Sequence, residues 1–350
     1  MKRAIQLGTI AVFCLLLLGV AFQMVLKVVP EPTLLEKRAL APLPPLNSAY
    51  GVVSDKFLEG FTDYVNDNFG FRKIFIRLNN LIDVKILRTP SNRDVILGSD
   101  AMLFRQSDWI GVTNKHSALT DAQITAGAKR VRAFQDRLKL QGKEFLFVFA
   151  PNKGTIYLEL LVAHKYLLNQ NSERERWLLA LQVSGVHFID VKPLILAAKA
   201  NRLLYYKGDH HWNRYASLLA SQAMIDAFAT RLNVPAPRFE VIGSRPDTWE
   251  RAGGGSIDEL LGVKAIRVNE EPIVQLTGPK LPRGVAFGDS FIRWLYLDQA
   301  SEGFESVADL TKVGKFEVAV NRLDTKFVLV HLWEASSDEL INSKVWDIGK

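Results

Sequence analysis

The chain has 350 residues, 48% of them hydrophobic and 23% charged, which excludes a disordered or fibrous polymer and leaves one large globular domain or two small ones. Its formal charge of +7 suits an acidic polysaccharide, a phospholipid surface or a nucleic acid, but no long basic run or aromatic-basic motif accompanies it, so nucleic-acid binding is not expected. The single cysteine, Cys14, lies in the apolar N-terminal stretch and leaves the remainder without a disulfide, a thiol nucleophile or a thiolate metal ligand.

Ala4 to Leu26 carries no charged side chain, and only Gln6, Thr9 and Gln23 interrupt it with strong polarity. As a helix it extends roughly 30 to 35 Å, enough to cross a bilayer core. Apolar side chains on every face distinguish it from an amphipathic core helix. Gly19-Val20-Ala21 satisfies a small-x-small cleavage rule, yet the apolar run continues past it, so an uncleaved transmembrane signal anchor over 1–28 is expected. Basic residues flank both ends and do not fix its orientation. Five prolines between Val29 and Asn47 predict a stiff stalk over 29–47, and 48–350 is expected to form the folded domain.

Phe57 to Leu87 reads as helical, with Phe61, Tyr64, Val65, Ile74, Leu78, Leu81 and Ile82 at core positions. Val95-Ile96-Leu97 and Met102-Leu103-Phe104 flank Gly98-Ser99-Asp100-Ala101, a hairpin signature in which glycine supplies the turn. Thr120 and Gln123 have capping-box spacing for a helix from Asp121 to about Gln141. Glu144 to Ala150, EFLFVFA, is an apolar run of the kind buried in a parallel sheet. Ser172 and Glu175 open a helix to about Val183, followed by a strand over 186–190 and a helix over 214–232. Val285-Ala286-Phe287 is a strand entering Gly288-Asp289-Ser290, and 327–332 is the last strand. Strands alternating with helices predict an α/β sandwich around a mostly parallel sheet.

Ligands gather at the carboxyl ends of the strands in such sheets, which directs attention to two polar loops. One is Tyr205-Tyr206-Lys207-Gly208-Asp209-His210-His211-Trp212-Asn213. The other is Phe287-Gly288-Asp289-Ser290-Phe291, where a strand turns through glycine toward an apolar helical stretch and leaves the Ser290 hydroxyl near a helix N-terminus. A serine hydroxyl becomes a nucleophile when a histidine accepts its proton, and a carboxylate fixes that histidine's tautomer. His211 and Asp209 supply both groups. Gly-Asp-Ser is also a common turn, and Asp-His-His-Trp can cap a helix or bind a metal. Adjacent residues rarely converge on one ion, and His116, His164, His187 and His331 show no ligand spacing such as HExxH, so neither metal nor cofactor is expected.

Several segments in order carry a family resemblance: Glu36-Lys37-Arg38-Ala39-Leu40-Ala41-Pro42, Asn66-Asp67-Asn68-Phe69-Gly70-Phe71-Arg72, Val95-Ile96-Leu97-Gly98 leading to Leu103-Phe104, Pro151 to Tyr157, Asp209-His210-His211-Trp212 and Gly288-Asp289-Ser290-Phe291. In these the chain resembles the AlgJ/AlgX (DHHW-type) group of SGNH-hydrolase-like alginate O-acetyltransferases over nearly everything after the anchor.

The resemblance implies an SGNH-hydrolase-like, flavodoxin-like sandwich behind one transmembrane helix, held on the bacterial inner membrane with the catalytic domain in the periplasm. It implies O-acetyl transfer to a polysaccharide acceptor beside a membrane-bound O-acyltransferase partner, with Ser290 as nucleophile, His211 as base and Asp209 as orienting acid. Candidate pocket residues are Lys153, Tyr206, His210, Trp212, Arg293 and Tyr296, with Tyr205 as a further aromatic for a pyranose ring. Candidate oxyanion donors are the Ser290 backbone N–H, Gly253 to Gly255 and Asn152. The chain's end soon after the last strand resembles AlgJ more than AlgX, which carries a carbohydrate-binding module. A carbohydrate acetylesterase of the same fold and a non-catalytic polysaccharide-binding assembly subunit are the alternatives.

Overall fold

The computed structural model describes residues 2–31, 39–45, 55–113, 119–161, 172–247, 256–261, 269–292, 300–310 and 312–350. Contacts divide the chain into two units, Met1–Asn92 with Asp258–Lys264, and Arg93–Ile257 with Ala265–Lys350.

In the first unit, α1 (Lys2–Leu26) is long and apolar enough to cross a membrane. Gln23 is its one buried side chain. The Gln23 amide donates to the Val29 carbonyl at 2.7 Å and accepts from the Val29 N–H at 2.9 Å, satisfying backbone groups just past the helix end. Beyond the prolines, the Ala41 N–H donates to Asp67 at 2.8 Å and the Asn68 amide donates to the Ala41 carbonyl at 3.1 Å.

The helix expected over 57–87 is two helices. α2 (Asp55–Asn68) ends before α3 (Arg72–Ile82), which continues into a π-helical turn, Asp83–Leu87. Phe71 breaks the run with a φ of 64°, a left-handed conformation that no helix interior accepts. Phe61, Leu78, Leu81 and Ile82, expected in the core, are exposed. Helical periodicity identifies an apolar face without identifying what covers it.

The second unit opens with a short antiparallel pair, β1 (Val95–Leu97) and β2 (Leu103–Arg105). The left-handed residues of its turn are Asp100 and Ala101, not the expected glycine. Gly98 serves a different need, because a Cβ there would overlap the Phe104 ring. A helix, α4 (Gln106–Thr113), follows.

The main sheet has five strands in the order β4-β3-β9-β7-β8, every pair parallel. Here β3 is Glu144–Ala150, β4 Phe188–Asp190, β7 Gly284–Gly288, β8 Val307–Leu310 and β9 Phe327–Trp333. The alternation along β3 splits the core. Phe145, Phe147 and Phe149 pack with Ile124, Val131 and Phe134 of α5 (Asp121–Leu140) and Trp177 of α7 (Glu173–Val183). Leu146, Val148 and Ala150 face the layer of α8 (Lys192–Lys199) and α9 (Arg214–Leu232). A strand buried on both faces needs apolar residues throughout, hence the unbroken EFLFVFA. The capping box of Thr120 and Gln123 opens α5, and Ser172 caps α7, as expected. A second antiparallel pair, β5 (Arg238–Pro246) and β6 (Glu270–Thr277), carries no sequence signal strong enough to be read in advance.

His331 sits on β9 in the middle of the sheet, fully buried, with its ring 5.5 Å from that of Trp212. Neither ring nitrogen has a hydrogen-bond partner among the described residues. Burial holds its pKa down to about 3. The folded protein therefore keeps this imidazole neutral while the unfolded chain takes up a proton below about pH 6.5, so stability falls as the pH drops from there toward 3. Urea midpoints of the full chain in detergent should drop less between pH 7 and about 4.5 in His331→Leu than in the natural protein, by on the order of 2 to 3 kcal/mol. Equal drops would place the acid sensitivity elsewhere.

Candidate active site

Three strands of the main sheet end on the residues of interest. β3 leads to Asn152 and α6 (Lys153–Ile156), β9 leads to Glu334, and β7 leads to Asp289 and Ser290. The carboxyl edge of a parallel sheet is where side chains from several strands converge.

The loop before α9 is a tight reversal. Tyr205 and Trp212 form an antiparallel bridge, the Asn213 N–H donates to the Leu204 carbonyl at 2.8 Å, and the Asn213 side chain caps α9 through the N–H groups of Tyr215 and Ala216. Asp209, His210 and His211 lie at its tip, all buried.

Three of the expected residues are hydrogen-bonded in series. His211 Nδ1 lies 2.7 Å from Asp209 Oδ1, and His211 Nε2 lies 2.8 Å from Ser290 Oγ. The His211 backbone N–H also donates to Asp209 Oδ1, at 3.0 Å. Ser290 is half-buried, at the start of a 3-10 turn, Ser290–Ile292, and the rest of the apolar helical stretch expected there, 293–299, lies outside the described residues.

Burial by itself would raise the Asp209 pKa, but hydrogen bonds from His210 and His211, with the charge they carry when protonated, hold it well below the usual carboxylate range. An ionised carboxylate only accepts, so His211 Nδ1 carries the proton and Nε2 is left to accept from Ser290. His210 Nδ1 lies 3.2 Å from the same Asp209 oxygen, and burial lowers the His210 pKa to about 4. His210 is therefore a neutral second donor to Asp209, with its ring 3.8 Å from that of His211. The three residues bring potential metal-ligand atoms within 4.8 Å of one another. The geometry is that of hydrogen bonds, with both Nδ1 atoms directed at one carboxylate oxygen.

Asp289 was not singled out by the sequence. Its carboxylate accepts from the Phe291 N–H at 3.0 Å and the Trp333 N–H at 2.5 Å, tying the Ser290 turn to the end of β9. Burial raises its pKa, and these two backbone donors oppose the rise. Gly288 completes the tie, since a Cβ there would overlap the His331 carbonyl oxygen. The Asp in Gly-Asp-Ser was the available signal, because a carboxylate two residues before a backbone N–H forms an Asx-type turn.

Several candidate pocket residues are placed differently from expectation. Lys153 is completely buried, and its ammonium donates to the carbonyls of Leu103 at 2.6 Å, Tyr206 at 2.6 Å, Lys207 at 3.0 Å and Asp209 at 2.9 Å. It braces the Asp209 loop and has no surface to offer a sugar. Tyr206 is buried and donates its hydroxyl to Asp247 at 2.7 Å, and Tyr205 donates to the Pro151 carbonyl at 2.6 Å. Trp212 is buried with its ring 5.3 Å from Phe291. Among the described residues, the half-buried aromatic beside the site is Trp333, stacked on Phe291 at 5.5 Å and 5.1 Å from the His210 ring. Arg293, Tyr296 and Gly253 to Gly255 lie outside the described residues. The Asn152 backbone N–H donates to Glu334 at 2.9 Å, while its buried side-chain amide has no hydrogen-bond partner among the described residues.

Lys153→Met keeps the side chain's length and removes its donors, leaving buried carbonyls unpaired. It should destabilise the full chain by about 3 kcal/mol in urea melts. A loss below about 1 kcal/mol, the size of an ordinary surface ion pair, would show that the loop is held by other contacts.

A family model described as the SGNH hydrolase-like domain of the acetyltransferase AlgX matches residues 95–272. The match takes in Asp209 and His211 and ends before Ser290. The alginate biosynthesis protein AlgX of Pseudomonas aeruginosa is 27% identical over 153 residues, which cover 42% of this chain and 31% of that protein. The probable alginate O-acetylase AlgJ of Pseudomonas syringae pv. tomato is 20% identical over 180 residues, 51% of this chain and 44% of that one. The chain thus spans less than half the length of these curated relatives. The solved O-acetyltransferase domain of Pseudomonas putida AlgJ superposes with a TM-score of 0.50 at 16% identity, covering 71% of this chain and 92% of that domain, which establishes a shared fold. With the model matching about half its length and the same parallel-sheet fold behind an apolar N-terminal helix, the chain belongs to the AlgX/AlgJ family of SGNH-hydrolase-like acetyltransferase domains.

Proposed function

We propose that this protein is an exopolysaccharide O-acetyltransferase working through a serine acetyl-enzyme. The observation that carries the reading is the series Asp209, His211, Ser290, with both hydrogen bonds under 3 Å and the serine open to solvent where central strands end. Family membership supplies the acetyl chemistry.

In this reading Ser290 Oγ attacks the acetyl carbonyl while its proton passes to His211 Nε2. Asp209 stabilises the resulting imidazolium through Nδ1–H. The tetrahedral oxyanion accepts from the Ser290 backbone N–H, with the buried Asn152 amide as the side-chain donor in reserve. Collapse expels the donor's leaving group, which takes the proton from His211. A sugar hydroxyl then gives its proton to Nε2 and attacks the acetyl-serine, and collapse of the second intermediate regenerates Ser290. Transfer requires that the sugar reach the acetyl-enzyme ahead of water. With Tyr205, Tyr206 and Trp212 buried, Trp333 is the ring assigned to the acceptor. The acceptor is a polysaccharide, the acetyl arrives by way of a membrane-bound O-acyltransferase, and α1 anchors the protein on the inner membrane with the catalytic residues in the periplasm.

The full chain in detergent should cleave a small activated acetyl ester slowly, and the right oligosaccharide should divert the acetyl group into a mass-shifted sugar. Ser290→Ala and His211→Ala should each remove nearly all turnover, because members of such a unit do not contribute additively. Asp209→Asn should cost on the order of thousands-fold through the wrong imidazole tautomer, and His210→Ala should cost less than His211→Ala. Mass spectrometry on acidic and neutral oligosaccharides reads the outcome. Fast ester cleavage with no acetylated sugar would identify an esterase, and tight oligosaccharide binding with neither activity would identify a binding subunit.

A further inference from the structure

The first unit carries an apolar face that stays exposed among the described residues. Along α3 and its π-helical continuation, Phe75, Leu78 and Ile82 leave 48, 51 and 47% of their surface open, and Ile86 and Leu87 are more exposed still. Phe75, Leu78, Ile82 and Ile86 recur at spacings of three, four and four, so they form one stripe. The segment Arg72 to Arg88 also holds five cations, Arg72, Lys73, Arg77, Lys85 and Arg88, against a single carboxylate, Asp83. That carboxylate is buried and accepts from the Asn79 amide at 2.9 Å, and Asn80 donates to the Leu261 carbonyl at 2.8 Å. Polar residues off the stripe are thus tied into the unit, as is Arg72, which donates to the Asn66 carbonyl at 3.1 Å and lies 4.0 Å from Asp67, while the stripe and Arg77, Lys85 and Arg88 stay exposed.

The same segment is fastened to the end of α1. A Cβ at Gly70 would overlap the Val20 carbonyl oxygen and would lie 2.7 Å from Gln23 Cβ and 2.8 Å from the Met24 nitrogen, so the backbone just before α3 packs on the last turns of the apolar helix. A cavity of about 380 Å³ lies at this junction, lined by Lys27, Arg72 and Lys73 together with Glu31 and Asp67. The side chains of Lys27 and Lys73 have no partner among the described residues. If α1 spans a bilayer, its end lies at the headgroup layer, and Gly70 delivers the start of α3 to that depth.

We propose that the exposed face of α3 and its π-helical turn lies in the interface of the membrane that α1 spans, its stripe among the upper acyl chains and its cations among acidic phospholipid headgroups. The proposal rests on α1 being an anchor. Amphipathic helices with cationic flanks bind anionic bilayer surfaces by burying the apolar face and neutralising lipid charge, and long basic side chains extend their charge outward while their stems cover apolar surface. Neither a second copy of the chain nor another protein accounts as directly for a stripe bordered by cations and joined to the end of a spanning helix.

The test uses the full chain in phosphatidylcholine nanodiscs with and without phosphatidylglycerol. An environment-sensitive fluorophore goes either on native Cys14, within α1, or on Leu78→Cys or Ile82→Cys in a Cys14→Ser background. Both sites on the face are about half exposed, so labelling leaves the fold alone. The expected result is blue-shifted emission at 78 and 82, several-fold stronger quenching by lipids spin-labelled near the headgroup than by aqueous iodide, and a further gain with phosphatidylglycerol that Arg77→Glu with Lys85→Glu abolishes. A Cys14 label quenched by lipid while 78 and 82 remain open to iodide would overturn this proposal alone. Shielding of 78 and 82 from iodide without lipid quenching would show that protein covers the face, also overturning it. A Cys14 label that lipid does not quench would overturn the anchor itself.

Discussion

Asp209 keeps its charge although it is almost wholly removed from water, because two imidazoles and a backbone N–H converge on one of its oxygens. Burying a carboxylate costs far more than burying a neutral group unless donors surround it. That requirement dictates the loop: the chain must reverse tightly enough to bring His210 and His211 back onto the residue before them. Reversal leaves carbonyls pointing inward, and the Lys153 ammonium gathers three of them, of Tyr206, Lys207 and Asp209, together with the Leu103 carbonyl of β2. A buried cation beneath a buried anion makes the loop a rigid object, and rigidity fixes the direction in which His211 Nε2 points.

The parallel sheet supplies the other half of the geometry. β3, β9 and β7 lie side by side, so the residues leaving their carboxyl ends are neighbours although they are far apart in sequence. Asp289 links the turn after β7 to the backbone after β9, and Glu334 links the end of β9 to Asn152 and, at 2.8 Å, to the Thr155 hydroxyl after β3. Glu334 itself is buried, which raises its pKa, with Arg174 nearby at 3.5 Å. Polar groups under the site thus hold strand ends together, and among the described residues Ser290 and Trp333 are half-buried there.

The first unit obeys the opposite economy. Its apolar residues are largely outside, on all faces of α1 and along one stripe of α3, and its polar residues make the internal ties. Water penalises such an arrangement and a bilayer rewards it, since the hydrocarbon core takes the place of a protein interior.

By itself the sequence determined the elements with strong local chemistry: the apolar helix at the start, the capping box at Thr120, the doubly buried strand EFLFVFA, and the pairing of Asp209 with His211 two residues on. Each depends on groups within a few residues of one another, so composition and spacing suffice. Tertiary structure decided what local chemistry leaves open. Ser290 meets His211 across 79 positions because β7 and the loop before α9 end at the same edge of the sheet. Lys153, Tyr206 and Trp212 turned inward because the reversed loop needed donors and a floor, a demand created by the fold and invisible in the residues. The apolar spacing over 74–82 was legible, but whether protein or membrane covers it depends on what lies opposite, and a periodic pattern holds no record of its partner.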